Sequence, residues 1–491
     1  MAIELSNIIF TEQDDIVPLC GVEEIVNTGI VNTLAGNDAI IGTGGNYGFE
    51  NVGVLNTDDG NDTITGTGTD TGIIIRYLHT LDTGNGDDVF TGTGTIYGFV
   101  NGGTFNTSDG NDIITGTGTY GFDNLGTLNT DDGNDTITGT GTIYGIITAY
   151  GGTIDTGKGN DVITGAGTNG ILHDGPGTLN TGDGNDIITG IGTNFGISNS
   201  GTINTGNGED SIISQGKFSN SYYEFSGGGG IFLGEGNDSI IVINTHNADN
   251  TDFPNYTLEN DNIIETGDGN DIITSTGIIY NGSTINTGNG EDSIISQGKL
   301  SNSGGIFLGE GNDSIIVDVV YPGFPSFVLE NFNIIETGDG NDIITSTDTI
   351  YNPGVINTGN GEDSIIVDGG VDGTGTSYGI LNSGTINMGD GNDSIIANEG
   401  FESGYNSSGA WFLGEGEDYI KGFGRGNFYG GNGNDTLELT SGSYTFGISP
   451  AGGNLVKDGI IMNTVGFEKL IADSTNYDFT SLTDGQIIIV A

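Results

Sequence analysis

Basic residues and cysteine are the residue types in which this sequence is poorest. It has 8 Lys and Arg against 66 Asp and Glu in 491 residues, a formal net charge of −58. Such a surface repels nucleic acid and anionic lipid, whose phosphates are bound mainly by Lys and Arg. Cys20 is the only cysteine, which excludes an intramolecular disulfide and a thiolate metal cluster. The composition therefore favours cationic partners.

Long apolar runs, proline and a basic N-terminal region are also missing or scarce. No run approaches the roughly 20 apolar residues of a membrane-spanning helix, and the opening MAIELSNIIF lacks the basic region of an ordinary secretory signal. Glycine occurs 95 times and proline 7 times, which is unlike collagen or a proline-rich linker. A hydrophobic content of 33% would also suit a disordered chain, but the regular placement of isoleucine favours a folded one.

What the chain does contain is an acidic, glycine-rich phrase that recurs along its length. It reads NTGDGNDIITG at residues 180–190 and NTGNGEDSIIS at residues 286–296. Most copies in the first half follow one another at 23 to 26 residues, and those in the second half at 17 to 33. A recurring phrase of this size predicts a repeat architecture. Aligned on the last Asp of the phrase, the seventeen copies are those of Asp38, Asp62, Asp88, Asp112, Asp135, Asp161, Asp186, Asp210, Asp238, Asp271, Asp292, Asp313, Asp342, Asp363, Asp393, Asp418 and Asp435.

Three columns of this internal alignment predict the local structure. Gly stands two residues before the Asp in all seventeen copies and four residues before it in thirteen, and Ile stands two residues after it in fifteen. A fixed Gly indicates backbone angles that a side chain forbids, or a close approach by another group. Ile at this spacing indicates a strand, and flanking segments such as GTLNT and ITGTGTIYGF combine strand formers with glycine corners.

These patterns predict an all-β fold, a parallel β-solenoid of about 17 coils whose interior is filled by the Ile column. We expect residues 1–33 to cap the first coil, residues 34–436 to form the solenoid and residues 437–491 to cap its end. The alternative is a set of antiparallel hairpins in a sandwich or propeller, but the period is too short for four-stranded blades. Stacked coils lie ~4.8 Å apart, so a second ladder is expected from Asn56, Asn106, Asn129, Asn180, Asn204, Asn286 and Asn357.

Stacking also places the Asp residues in a column of like charges. Carboxylates one coil apart repel one another by about 1 to 4 kcal/mol per pair, depending on the effective dielectric. A divalent cation between successive coils relieves this repulsion directly, and hard oxygen ligands suit Ca²⁺. Two alternatives are an EF-hand, which needs flanking helices that the sequence does not predict, and Asp residues that only cap solvated turns.

The string TGDGNDIIT resembles the nonapeptide G-G-x-G-x-D-x-U-x of the RTX, or haemolysin-type, calcium-binding repeats, with Thr at the first Gly. The resemblance covers residues 34 to 440 and implies a β-roll-like right-handed β-helix, although the residues alone leave the handedness open. It implies that Ca²⁺ lies between the turns of successive coils, so that Asp186 and Asp210 would share one ion. Each Asp of the seventeen copies would supply carboxylate oxygen. The carbonyl oxygens would come from the neighbourhood of Gly182, Gly184, Gly206 and Gly208.

The chain departs from the usual coil of that family, which carries two nonapeptides in 18 residues. Here one nonapeptide precedes a longer segment without the motif, so we expect one row of ions with at most about sixteen sites. Lys158 stands where ten other copies carry Asp or Glu. Leu34, Asp58, Ser108 and Asp131 replace the second Gly.

From residue 437 the sequence is less rich in glycine and more aromatic. It resembles the C-terminal segment of many RTX proteins, which implies a type I secretion signal, export through an ABC transporter and an extracellular or cell-surface location. Weak calcium sites would stay empty in the cytosol and fill outside the cell, so that folding follows export.

A structural or adhesive surface protein is the function that this sequence favours, with calcium, the transporter, itself or a cell-surface polysaccharide as partners. A calcium-dependent ice-binding solenoid is an alternative, since residues 65–69, 91–95, 115–119 and 138–142 repeat Thr at every second position. A polysaccharide-active β-helix enzyme finds little support. His79, His173 and His246 lie far apart and are expected on the surface or in loops, and no basic residue recurs in a repeated constellation.

Insertions at residues 214–230, 242–262 and 317–333 interrupt the second half. They carry aromatic residues that would either form a partner-binding edge or pack locally over the solenoid; these are Phe253, Tyr256, Tyr321, Phe324 and Phe327.

Overall fold

The structure, a computed structural model, describes residues 2–18, 23–221, 229–243, 256–319, 327–371, 377–403, 409–450, 452–473 and 475–491. By its internal contacts the chain divides into two units, residues 1–267 and 268–491. Cys20, His246, Phe253, Tyr321 and Phe324 lie outside the described residues, as do parts of all three insertions. No helix in the described part of the chain is long and apolar enough to cross a membrane.

Each unit is a stack of β-coils whose neighbouring strands are almost all parallel, so the predicted parallel β-solenoid is confirmed, with about 16 turns in all. In residues 178–199, for example, strand Thr178–Asn180 leads into the turn that carries Asp186, and strand Ile187–Asn199 follows. Ile188 pairs in register with Ile163 one coil before and with Ile212 one coil after. Described helical segments are limited to the 3₁₀ turns Leu5–Asn7 and Phe479–Ser481.

In unit 1 the strands belong to two sheets. One sheet begins with Ile3–Glu4 and otherwise consists of the strands that follow the Asp turn and continue to the next corner, which are Ile16–Val17, Ile25–Asn27, Ala39–Thr43, Tyr47–Asn51, Thr63–Thr67, Thr71–Ile75, Val89–Thr93, Tyr97–Asn101, Ile113–Asn124, Thr136–Thr148, Val162–His173, Ile187–Asn199, Ser211–Asn220, Ser239–Ile243 and Tyr256–Asn260. The strands that precede the turn are Ile30–Asn32, Val54–Asn56, Thr80–Asp82, Thr104–Asn106, Thr127–Asn129, Thr153–Asp155, Thr178–Asn180, Thr202–Asn204, Gly230–Glu235 and Ile263–Asp268, the last of which reaches the division between the units.

Unit 2 repeats this arrangement and then changes it near its end. The strands after the turn are Ile272–Ser275, Ile278–Asn281, Ser293–Ser296, Leu300–Asn302, Ser314–Val317, Leu329–Asn331, Ile343–Ser346, Ile350–Asn352, Ser364–Val367, Ile380–Asn382, Ser394–Ala397, Phe401–Glu402, Tyr419–Lys421, Thr436–Glu438, Lys469–Ala472 and Thr475–Asp478. Those before it are Thr284–Asn286, Gly305–Phe307, Ile334–Glu336, Val355–Asn357, Thr385–Asn387, Ala410–Gly416 and Gly426–Gly433. An antiparallel pair joins Gly370–Val371 to Ser377–Tyr378.

The last part of unit 2 is antiparallel. Strand Gly442–Ser449 pairs antiparallel with Gly452–Lys457 and with Ile487–Val490, and Gly452–Lys457 pairs with Ile460–Val465. Strand Ile460–Val465 lies parallel to Gly426–Gly433, so the antiparallel strands continue the solenoid sheet. The predicted division into two caps and a solenoid stays a prediction.

The interior is the predicted apolar column. The residue two positions after each Asp is 0 to 1% exposed, from Ile40 to Leu437, and each such burial contributes roughly 1.5 to 3 kcal/mol. Phe90, which replaces Ile, packs edge-to-face on Phe105 with ring centroids 4.6 Å apart. The regular spacing of Ile in the sequence therefore identifies the residues that stack in the core.

A fully buried ladder of asparagine amides accompanies this core, and the sequence analysis did not identify it. In unit 2, Asn302 Nδ2 donates to Asn331 Oδ1 at 2.8 Å and to the carbonyl of Ile334 at 2.8 Å. Asn281, Asn331 and Asn352 make the equivalent amide bonds at 2.9 Å to the next coil. Because each amide has its partner directly above it, the buried polar groups fix the register of the coils.

The ladder that the sequence predicted lies on the half-exposed side of the solenoid and is less regular. Asn204 Nδ2 donates to Asn180 Oδ1 at 2.7 Å, but Asn56 and Asn129 donate instead to Asp58 and Asp131 within their own turns, at 2.8 Å. The prediction is therefore correct for some of its members and wrong for these two.

His173 was expected on the surface or in a loop, and that prediction is wrong. It occupies the ladder position between Thr148 and Asn199 and is 0% exposed. Its Nε2 donates to the carbonyl of Gly177 at 3.0 Å. A Cβ on Gly201 would lie 2.3 Å from the same nitrogen, so glycine in the next coil makes room for the ring.

The two glycines of the turn are required for different reasons. Four residues before Asp186, Gly182 has φ +87°, and the residues that replace this glycine elsewhere, such as Leu34 and Asp131, also have positive φ, +67° and +56°. Two residues before Asp186, a Cβ on Gly184 would lie 1.5 Å from the carbonyl oxygen of Gly159 in the preceding coil. The position four residues before the Asp therefore requires a positive φ. The invariant glycine two residues before the Asp is required by the close contact between coils.

We expect Gly184→Ala to lower the free energy of unfolding by at least about 3 kcal/mol, because overpacking adds to the strain of a positive φ. Gly459→Ala is the matched control, since Gly459 also has positive φ, +78°, but has no atom within 4 Å of a Cβ. It should cost only about 1 to 2 kcal/mol. Urea unfolding followed by circular dichroism measures both, and equal losses would contradict the steric explanation.

Candidate functional site

The column of seventeen Asp side chains is the candidate site. Each follows the glycine turn directly, and each is buried, with 0 to 2% of its surface exposed. Within each unit the turns stack in register, because backbone bonds such as Gly184 N to Asn207 O at 2.8 Å join each turn to the next. The sequence therefore places one carboxyl group per coil inside the stacked turns.

A backbone-to-carboxylate hydrogen bond links successive members of the column. The N–H of Asp161 donates to Oδ1 of Asp186 at 2.8 Å, and the N–H of Asp186 donates to Oδ1 of Asp210 at 2.8 Å. The same bond, at 2.7 to 3.0 Å, connects the column through each unit. We call this arrangement the Asp ladder. It uses one oxygen of each carboxylate.

The second oxygen is buried without a hydrogen-bond partner in most of the ladder. Asp112 and Asp135 are exceptions, since their Oδ2 atoms accept from the hydroxyls of Thr107 and Thr130. Burying such an oxygen costs free energy unless another group compensates it. The partnerless Oδ2 atoms include those of Asp38, Asp62, Asp88, Asp161, Asp186, Asp210, Asp292, Asp313, Asp342, Asp363, Asp393, Asp418 and Asp435.

Burial and mutual repulsion raise the pKa values of these carboxyl groups. Desolvation is the larger cause and lifts the pKa of Asp186 to about 7, with Asp161 and Asp210 adding repulsion. The pKa of Asp88 rises to about 8 for the same reasons, with Asp112 and Asp62 as its neighbours. The chain has few bases to compensate these charges, so the carboxyl groups of the ladder favour protonation or pairing with a cation near neutral pH.

The next column outward runs in the opposite direction along the stack. The N–H of Asn185 donates to Oδ1 of Asn160 in the preceding coil at 2.8 Å, whereas the N–H of Asp186 donates to the following coil. Consecutive peptide groups thus bond to opposite neighbours. This double attachment fixes the turn and with it the position of the Asp carboxylate.

The ladder ends in two acidic residues that the sequence analysis missed. At the N-terminal end, Asp15 donates its N–H to Oδ1 of Asp38 at 2.8 Å. At the C-terminal end, Glu468 Oε2 accepts the N–H of Asp435 at 2.8 Å. Gly466 and Leu470 stand at the motif spacing around Glu468, so an alignment that allowed Glu in the Asp column would have found it.

The carboxylate and carbonyl oxygens of the stacked turns are chemically suited to bind a hard divalent cation. Two successive coils bring two buried carboxylates together, and Gly182 and Gly184 place their carbonyl oxygens toward Gly206 and Gly208 of the next coil. Among the described residues no three His, Cys, Asp or Glu side chains converge on one point. A cation would therefore have to draw on carboxylates of adjacent coils together with other oxygens such as those of the backbone. The assignment of the Asp and Gly residues as calcium ligands stays a prediction.

A second regular feature lies on the outer face of unit 1. One rank of threonines, three residues after the ladder Asp, pairs in register through six coils; a second rank, five residues after it, does so through five. These in-register ranks give an array spaced ~4.8 Å between coils and ~7 Å along the strand. The first rank is Thr65, Thr91, Thr115, Thr138, Thr164 and Thr189, and the second is Thr43, Thr67, Thr93, Thr117 and Thr140.

In the third predicted rank, Thr69 and Thr95 follow the ends of their strands, whereas Thr119 and Thr142 lie within strands Ile113–Asn124 and Thr136–Thr148. Thr119 Oγ donates to the carbonyl of Thr95 at 2.8 Å, and Thr69 Oγ donates to that of Gly45 at 2.9 Å. Its hydroxyls are therefore partly engaged by the backbone. The second rank ends where Ala166 and Ile191 replace threonine.

Comparisons with known proteins leave the family of the chain open. No family model matches it, and no curated protein does so. Among solved structures it is similar to the X-ray crystal structure of a hyperactive, Ca²⁺-dependent, β-helical antifreeze protein from an Antarctic bacterium, with 18% identity over 79% of this chain and 84% of that one, at a TM-score of 0.30. A likeness at this level carries no argument about the present chain. The resemblance to the RTX repeats stays a prediction.

We expect the calcium-free protein to lose stability as the pH rises. An unfolded Asp titrates near 3.8, whereas the pKa of folded Asp135 is raised to about 8 and that of Asp62 to about 6. Between these values the unfolded state loses protons first, so ionisation favours unfolding. In chelator, the Tm should be higher at pH 5.5 than at pH 8.5. A Tm in chelator that increases with pH would contradict the burial of ionisable carboxyls.

Proposed function

We propose that this chain is a calcium-stabilised β-solenoid with a structural or adhesive role outside the cell. The observation that carries the proposal is the Asp ladder, in which buried carboxylates repeat with the coils and most keep one oxygen without a hydrogen-bond partner. The proposal assigns the chain no catalytic reaction. Its extracellular location, its export by a type I ABC transporter and its surface partner are parts of the same proposal.

Calcium would act in the ladder as a counter-charge. Asp186 and Asp210 are joined by a 2.8 Å bond from the backbone N–H of the first to Oδ1 of the second, so their carboxylates are held one coil apart. A bound divalent cation would compensate both charges and supply a partner to the oxygens that lack one. Ca²⁺ suits such a site because it accepts carboxylate and carbonyl oxygens in a flexible shell.

This role would couple metal binding to folding. The carboxylates come together only when coils stack, so the unfolded chain offers no preformed site, and the free energy of binding becomes free energy of folding. With a net charge of −58, an unfolded chain in a calcium-poor compartment repels itself and remains extended. Such a chain suits passage through a transporter, with folding where calcium is plentiful.

Asp186→Asn tests the role of the ladder, with Asp183→Asn as its control. The amide introduced by Asp186→Asn keeps an oxygen to accept the N–H of Asp161 but removes a buried charge; Asp183 is exposed in the same turn. We expect Asp186→Asn to lower the number of bound Ca²⁺ by one or two per chain in equilibrium dialysis, and to lower the Tm in calcium. In chelator the same substitution should raise the Tm, because a buried repulsive charge is lost.

The substitution is expected to shift the Tm in opposite directions in calcium and in chelator. This difference separates a role in metal binding from a role in packing alone. Asp183→Asn should leave both the calcium count and the two Tm values unchanged, since its carboxylate is solvated. Calcium binding that is the same in wild type and Asp186→Asn would contradict the proposal. So would β structure that persists unchanged when calcium is removed.

A second candidate function is binding to ice, and the in-register threonine ranks of unit 1 favour it. They present methyl and hydroxyl groups at constant spacing over neighbouring coils. The corresponding face of unit 2 lacks them, since Ile295, Ile316 and Ile366 occupy positions three residues after the ladder Asp. The ranks are therefore a property of unit 1 rather than of the fold.

Thr115→Tyr tests this second candidate, because a bulky ring in the middle of the ranks would interrupt a flat surface. We expect it to reduce thermal hysteresis several-fold without a change in Tm. Thr345→Tyr is the control at the same position of a unit 2 coil, and it should have no effect. A wild-type protein without thermal hysteresis at micromolar concentration would remove ice binding from consideration.

A further inference from the structure

An open cavity of about 450 Å³ lies on the surface of unit 1, lined by residues of the strand ends and corners rather than by the Asp turns. Its walls include the rings of Tyr97 and Tyr150 and the apolar side chains of Leu125 and Ile147. Its polar lining includes the carboxylates of Asp123 and Asp174. Neither the Asp ladder nor the threonine ranks contribute to it, so the proposed function does not account for it.

The cavity arises from unequal corners in successive coils. The corner after strand Ile113–Asn124 has two residues, 125 and 126, whereas the corners after Thr136–Thr148 and Val162–His173 have four each. The longer corners project beside the shorter one and form a wall. Tyr150 stands in this wall, 91% exposed and with φ +56°. A bulky residue in this strained, exposed position gives no packing benefit, which is typical of a binding surface.

The aromatic side of the cavity is rigid. Tyr97 stacks on Tyr120 with centroids 5.0 Å apart and an interplanar angle of 22°, and Tyr120 stacks on Tyr144 at 5.9 Å and 13°. These three residues occupy one register position in three successive coils. The ring of Tyr97 is therefore fixed before a ligand arrives, which reduces the entropy lost on binding.

The charge of the cavity is not compensated within the protein. Asp123 has one buried carboxylate oxygen without a hydrogen-bond partner, and Asp174 accepts only a long bond, 3.3 Å, from the Ser200 hydroxyl among those described. The sequence places three bases in unit 1, and each pairs with an acid outside the cavity lining. These pairs are Arg76 with Glu50, Lys158 with Asp132, and Lys217 with Glu259.

We infer that this cavity binds an organic ammonium cation, such as a quaternary ammonium group on a short polar chain. Tyrosine rings attract cations through their faces, apolar walls accept the alkyl groups, and the two carboxylates supply the opposite charge. An anion would be repelled, and a neutral ligand would leave Asp123 uncompensated. Burial raises the pKa of Asp123 to about 6, which agrees with a carboxyl group that lacks a counter-charge when no ligand is bound.

The test compares choline with 3,3-dimethyl-1-butanol, in which a carbon atom replaces the charged nitrogen. Titration calorimetry with the full chain in saturating calcium should show binding of choline at least about tenfold tighter than that of the neutral isostere, the difference that a desolvated cation and its partners provide. Equal affinity for the two, or no binding of choline, would overturn the inference.

Variants of the lining residues test whether choline binds in this cavity. Asp123→Asn should weaken the affinity for choline at least about tenfold, since it removes the opposite charge but keeps the shape of the side chain. Tyr150→Ala should weaken it several-fold, and because Tyr150 is 91% exposed, this variant carries the test if Asp123→Asn does not fold. Tyr77→Ala, at an exposed tyrosine outside the lining, is the control and should bind like wild type. Unchanged affinity in both cavity variants would assign choline to another place and overturn the inference.

Discussion

The hydrogen bond from the N–H of each ladder Asp to the carboxylate of the next is the interaction on which the remaining structure depends. Because the acceptor must lie along the stacking direction beside that N–H, the carboxylate is drawn inside the turn, where Asp186 has no exposed surface. The bond fixes the register that stacks Ile188 on Ile163 and Ile212. The same side chain that holds the coils in register therefore creates a buried column of negative charge.

Much of the fold could be predicted because a stack of coils repeats its constraints along the sequence. Ile two residues after Asp revealed the strand and the inward column together. The two asparagine ladders show the limit, since Asn302 and Asn180 are the same residue type at the end of a strand. The first is fully buried and the second half-exposed, and only the bends and corners of the coil decide which side faces inward.

The invariant glycine shows how a correct observation can have more than one cause. The sequence suggested that Gly184 has backbone angles that a side chain forbids or lies against another group, and the space that a Cβ would take is occupied by the carbonyl oxygen of Gly159. Close stacking of backbones explains the glycine without a metal. The invariant glycine is therefore no support for a calcium site. The support comes from the buried carboxylates and their partnerless oxygens.

The free-energy cost of burying the Asp ladder grows with every coil, so whatever compensates this cost has to act in every coil. Each added coil brings one more buried carboxylate and one more oxygen to satisfy, so residues at the ends, such as Asp15 and Glu468, cannot balance the interior. The bases are too few, at 8 for the whole chain, and a hydroxyl reaches Oδ2 only at some positions, as Thr107 does for Asp112. Compensation must repeat with the period of the coils, as protonation of each carboxyl group or a cation bound between successive turns would.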